Sequence, residues 1–160
     1  MEGALMIKQQ KNNNKVSKTN IQINPHKTLI EQLYEKGWLE YRRSRFDSKS
    51  RLQVALKLMY NYQIIKRANL HSGYIFNNKI DSSISLESHL YSDAVNYYRQ
   101  CLRAVPAEFW GIVRCICLEE KLPVISQDLS ERQQAYLNYL YRIDLCRGLD
   151  RLLQLKIDNK

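Results

Sequence analysis

Apolar residues recur at helical spacing along most of this chain, and no long run alternates apolar and polar residues. Spacings of three and four residues are typical of amphipathic helices, whereas alternation is typical of strands. The pattern predicts helices at about 25–36, 49–68, 84–104 and 106–121, and a last helical segment that begins near 128. Gly37 is expected to end the first helix, Asp47 or Ser48 to cap the second, and Ser130 with Gln133 to form a capping box at the start of the last. Residues 69–83 predict a loop. With only three Pro and five Gly in 160 residues, we expect an all-α fold of about five helices.

The stretch from Val105 to Lys121 has the densest apolar pattern. Pro106 suits the first helical position because its φ is preset and it has no N–H to leave unpaired. Between Phe109 and Leu118 only Gly111 and Arg114 are not apolar. A helix that is apolar nearly all round is buried. We therefore expect the other helices to pack around a buried central helix at about 106–121, with a close helix approach at Gly111.

The last helical segment shows a slip in its apolar phase. Tyr136, Leu137 and Leu140 lie on one side of an ideal helix, and the following set lies near the opposite side: Leu145, Leu149, Leu152 and Leu153. Either one helix is packed on both sides, or the segment breaks near 138–142. A break would produce a helix-turn-helix within 128–156, a motif whose second helix enters the DNA major groove.

The net charge of +9 is confined to the first part of the chain. Residues 1–67 hold 14 Lys and Arg against 5 Asp and Glu, while residues 68–160 hold 11 of each kind. Residues 1–24 are rich in Lys, Asn and Gln and predict a disordered basic tail before a single helical domain at 25–160. Such asymmetry favours a polyanionic partner, DNA first and an anionic membrane surface second. The alternative is a solvated basic tail without a partner.

Arginines and aromatic residues alternate in WLEYRRSRF, from Trp38 to Phe46. Guanidinium groups bind phosphates bidentately, and aromatic rings can stack on bases. The candidate nucleic-acid-binding residues are Arg42, Arg43, Arg45, Lys49 and Arg51, together with Arg142, Arg147 and Arg151 of the last segment. In the alternative, Trp38 and Phe46 dock in the core with the arginines solvated, and the later arginines pair with Asp144 or Asp150.

No pattern in the chain indicates catalysis or a cofactor. There is no phosphate-binding loop, no nucleophile elbow and no HExxH motif, so we expect no enzyme, no catalytic residue and no cofactor. The four Cys form no CxxC pair and have no His at zinc-ligand spacing. We expect reduced core thiols without metal, with zinc or a disulfide as the alternative. No apolar run reaches the ~20 residues that span a bilayer, and no secretory h-region is visible, which predicts a cytoplasmic protein.

Three stretches resemble a poorly characterised family of small alphaproteobacterial helical domains. They are LRAVPAEFWGIVRCICLEE (Leu102–Glu120), DLCRGLDRLL (Asp144–Leu153) and the upstream RLQVALKLMYNYQIIKRANL (Arg51–Leu70). A related domain occurs in the activator of gene transfer agents. The resemblance covers about residues 47–155 and implies a helix-turn-helix-like C-terminal part and a DNA-binding role. The chain departs from the family pattern at 122–141, where the family carries a clearer turn with small residues.

These observations lead to two hypotheses about function. The first is a small DNA-binding, transcription-associated or phage-related regulatory protein. The second is a non-enzymatic helical adaptor or structural protein that binds another protein, to which eleven Tyr would be suited because Tyr is common at interfaces. The salt dependence of binding affinity distinguishes the two hypotheses, since affinity based on phosphate contacts falls steeply as the salt concentration rises, whereas affinity at an apolar interface does not.

Overall fold

The computed structural model describes residues 26–72 and 84–158. Its helices are α1 (Leu29–Glu35), α2 (Ser48–Ser72), α3 (Ile84–Ala104), α4 (Ala107–Val113) and α5 (Glu131–Asp158), and α4 continues into a π-helical turn at Arg114–Leu118. No strand occurs in these two ranges, and the predicted all-α fold of five helices is confirmed. The predicted basic tail at 1–24 and most of the predicted loop between α2 and α3 lie outside the described residues.

Helix α1 is closed at both ends by local hydrogen bonds. At its start, Oγ1 of Thr28 accepts from the backbone N–H of Glu31, whose carboxylate accepts in return from the N–H of Thr28 at 2.8 Å. At its end, Gly37 has φ +73°, a conformation that glycine adopts without steric cost. The N–H of Gly37 and that of the next residue then bond back to carbonyl oxygens of the last turn, each at 2.9 Å. The predicted stop at Gly37 is therefore confirmed.

The starts of α2 and α5 also follow the predicted capping residues. The N–H of Ser50 donates to Oδ1 of Asp47 at 2.6 Å, and this bond holds the pKa of the Asp47 carboxyl below its usual range. At α5, the N–H of Ser130 donates to Oε1 of Gln133 at 2.9 Å, and the N–H of Gln133 donates to Oγ of Ser130 at 3.3 Å. Both helix starts thus confirm the capping predictions.

All five helices contribute to one hydrophobic core. Helix α2 contacts α1, α3, α5 and the π-helical turn, and α4 packs on α5. The buried core side chains on the helices and the π-turn are Ile30, Leu33, Val54, Ala55, Leu58, Met59, Cys101, Ile112, Val113, Ile116, Cys117, Leu145, Leu149, Leu152 and Leu153. The core therefore lies between α2, the α4–π segment and the second half of α5.

The predicted central helix is buried along its inner side and exposed along its outer side. Ile112, Val113, Ile116 and Cys117 belong to the core, whereas Glu108, Gly111 and Arg114 are exposed. The segment ends at Leu118 rather than near residue 121, because the backbone at Glu120 takes a positive φ of 51° that redirects the chain. The segment is apolar on nearly all sides, but the rest of the protein covers only its inner side.

The expectation of a close helix approach at Gly111 is wrong, and the close approach occurs at Gly148 instead. A Cβ placed on Gly111 would meet no atom within 4 Å, because this residue faces outward. A Cβ placed on Gly148 would lie 2.5 Å from Cγ2 of Val113 and 3.3 Å from Cβ of Phe109. Glycine at 148 therefore allows α5 to approach α4.

Alanine substitutions at the two glycines should have opposite effects on the free energy of unfolding. Gly148→Ala is expected to destabilise by about 1–2 kcal/mol, because Val113 is fully buried and rotates poorly about χ1, so it cannot move aside. Gly111→Ala should stabilise by about 0.5–1 kcal/mol, the usual gain for an exposed helical glycine. Urea unfolding measures both, and a Gly148→Ala midpoint at or above wild type would contradict the packing described.

Helix α5 is continuous from Glu131 to Asp158, so of the two alternatives the break near 138–142 is wrong, and with it the possible helix-turn-helix within 128–156. No Gly or Pro interrupts the segment before Gly148, and the backbone hydrogen bonds continue through 138–142. The phase slip has a different origin. No side chain from Glu131 to Asp144 is buried, and the buried core residues of α5 begin at Leu145, with the partly exposed Tyr141 packed against the core. The first apolar set, at 136–140, lies outside the core.

Candidate nucleic-acid interface

The loop between α1 and α2, residues 36–47, places its aromatic side chains inward and its arginines outward. Leu39 is fully buried, and Trp38 and Phe46 pack against the core while remaining partly exposed. The loop's three arginines are exposed: Arg42, Arg43 and Arg45. The alternative in which the two aromatic residues dock is therefore the arrangement observed, and the docking fixes the backbone that carries the arginines.

The same loop follows the outer side of α5. Nη2 of Arg142 donates to the carbonyl oxygen of Glu40 at 3.3 Å. Further along both segments, the guanidinium of Arg45 donates to the side-chain oxygen of Gln154 and lies 4.9 Å from the ring centroid of Phe46. Residues 142 and 154 are about 18 Å apart along a helix. The loop is thus attached to α5 near both ends of the loop.

Arg51, a predicted nucleic-acid ligand, is instead buried in an ion pair. Its side chain is 1% exposed, and Nε and Nη2 donate to the two carboxylate oxygens of Asp150 at 2.7 and 3.1 Å. Nη1 donates to the carbonyl oxygen of Leu39 at 2.8 Å. The prediction for Arg51 is wrong because tertiary contacts, which its local sequence does not reveal, enclose the start of α2 between the loop and α5.

Of the three predicted arginines on α5, one binds the loop and two are exposed to solvent. Arg142 is half-buried and holds the loop, whereas Arg147 and Arg151 are exposed. The interaction with the side chain of Tyr41 raises the pKa of Arg147, and the negative charge of nearby Asp144 adds a smaller rise. Burial raises the pKa of Asp144, an effect that Arg147 opposes. Arg147 therefore carries a full positive charge beside the loop.

Contacts between the loop and α5 bring most of the predicted cations to one side of the molecule. We call this side the arginine surface and define it by six exposed residues: Arg42, Arg43, Arg45, Lys49, Arg147 and Arg151. Two of the nearby carboxylates are already engaged, since Asp150 pairs with Arg51 and Asp47 caps α2. The six exposed residues carry positive charge that can bind phosphates, whereas Arg51 and Arg142 hold the scaffold.

Two exposed aromatic residues on α5 were not among the predicted site residues. Tyr136 and Tyr139 on α5 are 61% and 57% exposed, although their spacing fits an apolar helix face. The available signal was the first apolar set of α5, which contains Tyr136, lies beside Tyr139 and is out of phase with the leucines that follow. Only one of two opposed faces could meet a single core.

Three of the four cysteines are buried, as predicted. Burial raises the pKa of Cys117 to about 12 and the pKa values of Cys101 and Cys146 to about 11. Cys115 is half-buried, and its thiol donates to the carbonyl oxygen of Lys121 at 3.3 Å. Across 26–72 and 84–158 no group of three or more His, Cys, Asp or Glu side chains is placed to hold a metal ion.

Within the described ranges no helix is both long enough and apolar enough to cross a membrane. The predicted absence of catalytic residues and of a cofactor stays a prediction, and so does the family resemblance. No protein-family model, no curated protein and no solved structure matches this chain.

Proposed function

We propose that this protein binds DNA at the phosphate backbone, through the arginine surface. The observation that carries the proposal is the convergence of exposed cations from two segments about 100 residues apart in the chain. Three arginines come from a loop that is anchored to the core at both ends, so their backbone needs little further ordering on binding. Guanidinium groups held in this way suit bidentate phosphate contacts.

Because α5 is continuous, contacts from the arginine surface are poorly suited to recognise a particular DNA base sequence. Base-specific recognition by a helix-turn-helix depends on a short helix that is set off by a turn and enters the major groove. In this fold Arg147 and Arg151 lie on an uninterrupted helix beside the loop. Phosphate contacts position a protein on nucleic acid without carrying sequence information directly. We therefore propose backbone binding, and a regulatory or phage-related role is an expectation of the family resemblance.

The second hypothesis, a helical adaptor for another protein, is favoured by a separate group of exposed apolar side chains. Val124 is 94% exposed and Leu122 is 37% exposed, both in the segment that precedes α5. Apolar residues at a protein interface would make binding nearly independent of salt, which is the opposite of what phosphate contacts produce.

A salt titration tests the proposed function. Each phosphate contact on duplex DNA contributes about 0.9 to the slope of log affinity against log salt. Replacing Arg42, Arg43 and Arg45 by Ala should therefore flatten the slope by up to about 2–3. The measurement is fluorescence anisotropy of labelled duplex DNA at several salt concentrations.

The matched control removes three exposed cations elsewhere, through Lys66→Ala, Arg99→Ala and Arg103→Ala on α2 and α3. This variant has the same net charge as the triple loop variant, so a slope that flattens equally in both would locate the effect in overall charge rather than in the arginine surface. Absence of binding at low salt by the wild-type protein would eliminate the proposal.

A further inference from the structure

The exposed side of α5 carries a row of residues that begins and ends with arginine. The members follow spacings of four, three, four and four residues: Arg132, Tyr136, Tyr139, Ile143 and Arg147. Such spacings place side chains along one side of a helix, and 15 residues correspond to about 22 Å of helix. The row contains no acidic residue.

The loop covers this side of α5 only in its second half. Residues 18 apart on a helix are five turns apart and lie on the same side. Arg132 is thus aligned with Asp150, which bonds to Arg51, and Tyr136 is aligned with Gln154, which bonds to Arg45. In the first half, the same side stays largely exposed among the described residues, as Tyr136 and Tyr139 show.

The two tyrosines of the first half lie on the same side of α5 as Arg147, a member of the arginine surface. Tyr136 and Tyr139 are 61% and 57% exposed, with axial positions about 4.5 Å apart. Arg147 ends the row and lies near Tyr41 of the loop, which raises the pKa of Arg147 and precedes Arg42 in the chain. One side of α5 therefore carries both rings and guanidinium groups. Positive charge at both ends of an aromatic row is complementary to a polyanion that carries flat apolar groups.

We infer that the preferred ligand of this surface is single-stranded nucleic acid, whose unpaired bases stack on Tyr136 and Tyr139 while its phosphates contact the flanking arginines. This inference rests on the proposed function and specifies its ligand. Bases in a duplex are stacked on one another and cannot reach the two rings, whereas a single strand presents every base face. Stacking on aromatic side chains is largely independent of base identity, in keeping with an interface that has no recognition helix.

The test compares labelled (dT)20, (rU)20 and a 20-base-pair duplex by fluorescence anisotropy at one salt concentration. At least one single strand should bind about tenfold or more tightly than the duplex, and the tighter of the two identifies DNA or RNA as the source. Tyr136→Leu with Tyr139→Leu should weaken single-strand binding by at least about 5- to 160-fold, the usual range for loss of one stacked base. Duplex binding by the same variant should be unchanged.

Two further variants separate stacking from other roles. Tyr136→Phe with Tyr139→Phe keeps both rings and should bind like wild type. Tyr60→Leu replaces a tyrosine on α2 that is 63% exposed and should also bind like wild type. Both affected tyrosines are largely exposed, so the leucine variant should keep its fold, which circular dichroism verifies.

Three results would overturn the inference. Equal affinity for single strands and duplex, with no loss in the leucine variant, would eliminate it and leave the proposed function intact. No binding to any of the three probes would eliminate both. Self-association of wild type that the leucine variant alters, seen by sedimentation velocity together with unchanged nucleic-acid binding, would instead assign the tyrosines to contact between copies of the chain.

Discussion

Arg51→Met is expected to lower the free energy of unfolding by about 3–5 kcal/mol. The substitution keeps an apolar side chain of similar length but leaves the Asp150 carboxylate, only 17% exposed, without its cation. It also removes the donor to the carbonyl oxygen of Leu39. An uncompensated charge in a partly enclosed site cannot recover its full hydration, so most of the loss comes from the group left behind. Urea unfolding followed by circular dichroism measures the change.

A second ion pair in the chain supplies the control for this prediction. Arg114 and Glu119 approach each other at the same 2.7 Å, but their side chains are 62% and 36% exposed. Arg114→Met should therefore cost no more than about 1 kcal/mol. If the two arginine variants were equally stable, burial would not be the source of the effect.

The double variant Arg51→Met with Asp150→Leu should recover much of the stability lost in Arg51→Met. Replacing both partners of a buried pair by apolar groups is often close to neutral, whereas removing one partner is costly. The recovery should be incomplete because the carbonyl of Leu39 still lacks its donor. A double variant less stable than Arg51→Met alone would contradict this account.

The second large effect is expected from Ile116→Ala, which should destabilise the protein by about 2–5 kcal/mol. Ile116 is fully buried in the π-helical turn, and this turn contacts both α1 and α2. Removing three carbons there leaves a cavity that helices on two sides would have to close. Ile112→Ala should fall toward the lower end of this range, since Ile112 is 8% exposed.

Leu102→Ala on α3 is the matched control for these core variants. Leu102 is 43% exposed, so removal of a similar number of carbons there creates no cavity and should cost less than about 1 kcal/mol. Urea midpoints for the three variants test the order. A midpoint for Ile116→Ala equal to that of Leu102→Ala would show that the core has been misplaced.

The ion pair and the arginine surface are parts of one arrangement. Arg51 bonds both to α5 and to the loop, so it fixes the backbone from which Arg42 and Arg43 project. Loss of Arg51 should therefore disturb the position of the surface cations as well as stability. A residue expected to bind nucleic acid directly contributes instead by holding the residues that do so under the proposed function.

The starts and ends of several helices were determined by the sequence alone. Gly37 ends α1, Asp47 caps α2, and Ser130 with Gln133 starts α5, as predicted. Each of these features depends on hydrogen bonds between residues no more than five apart. Such contacts form wherever the local chain has the required side chains, so no knowledge of the other helices was needed.

Only the tertiary structure decided which side of each helix became the core. The phase slip in α5 was visible in the sequence, but both a break and a continuous helix were compatible with it. Likewise, Arg51 could not be distinguished from Arg42 or Arg43, and Gly111 was favoured over Gly148 as the close contact. Burial depends on which segments meet across about 100 residues of chain, as Arg51 and Asp150 do. The spacing of residues along the chain does not indicate the free energy of such contacts, because that free energy arises only when both partners are removed from water together.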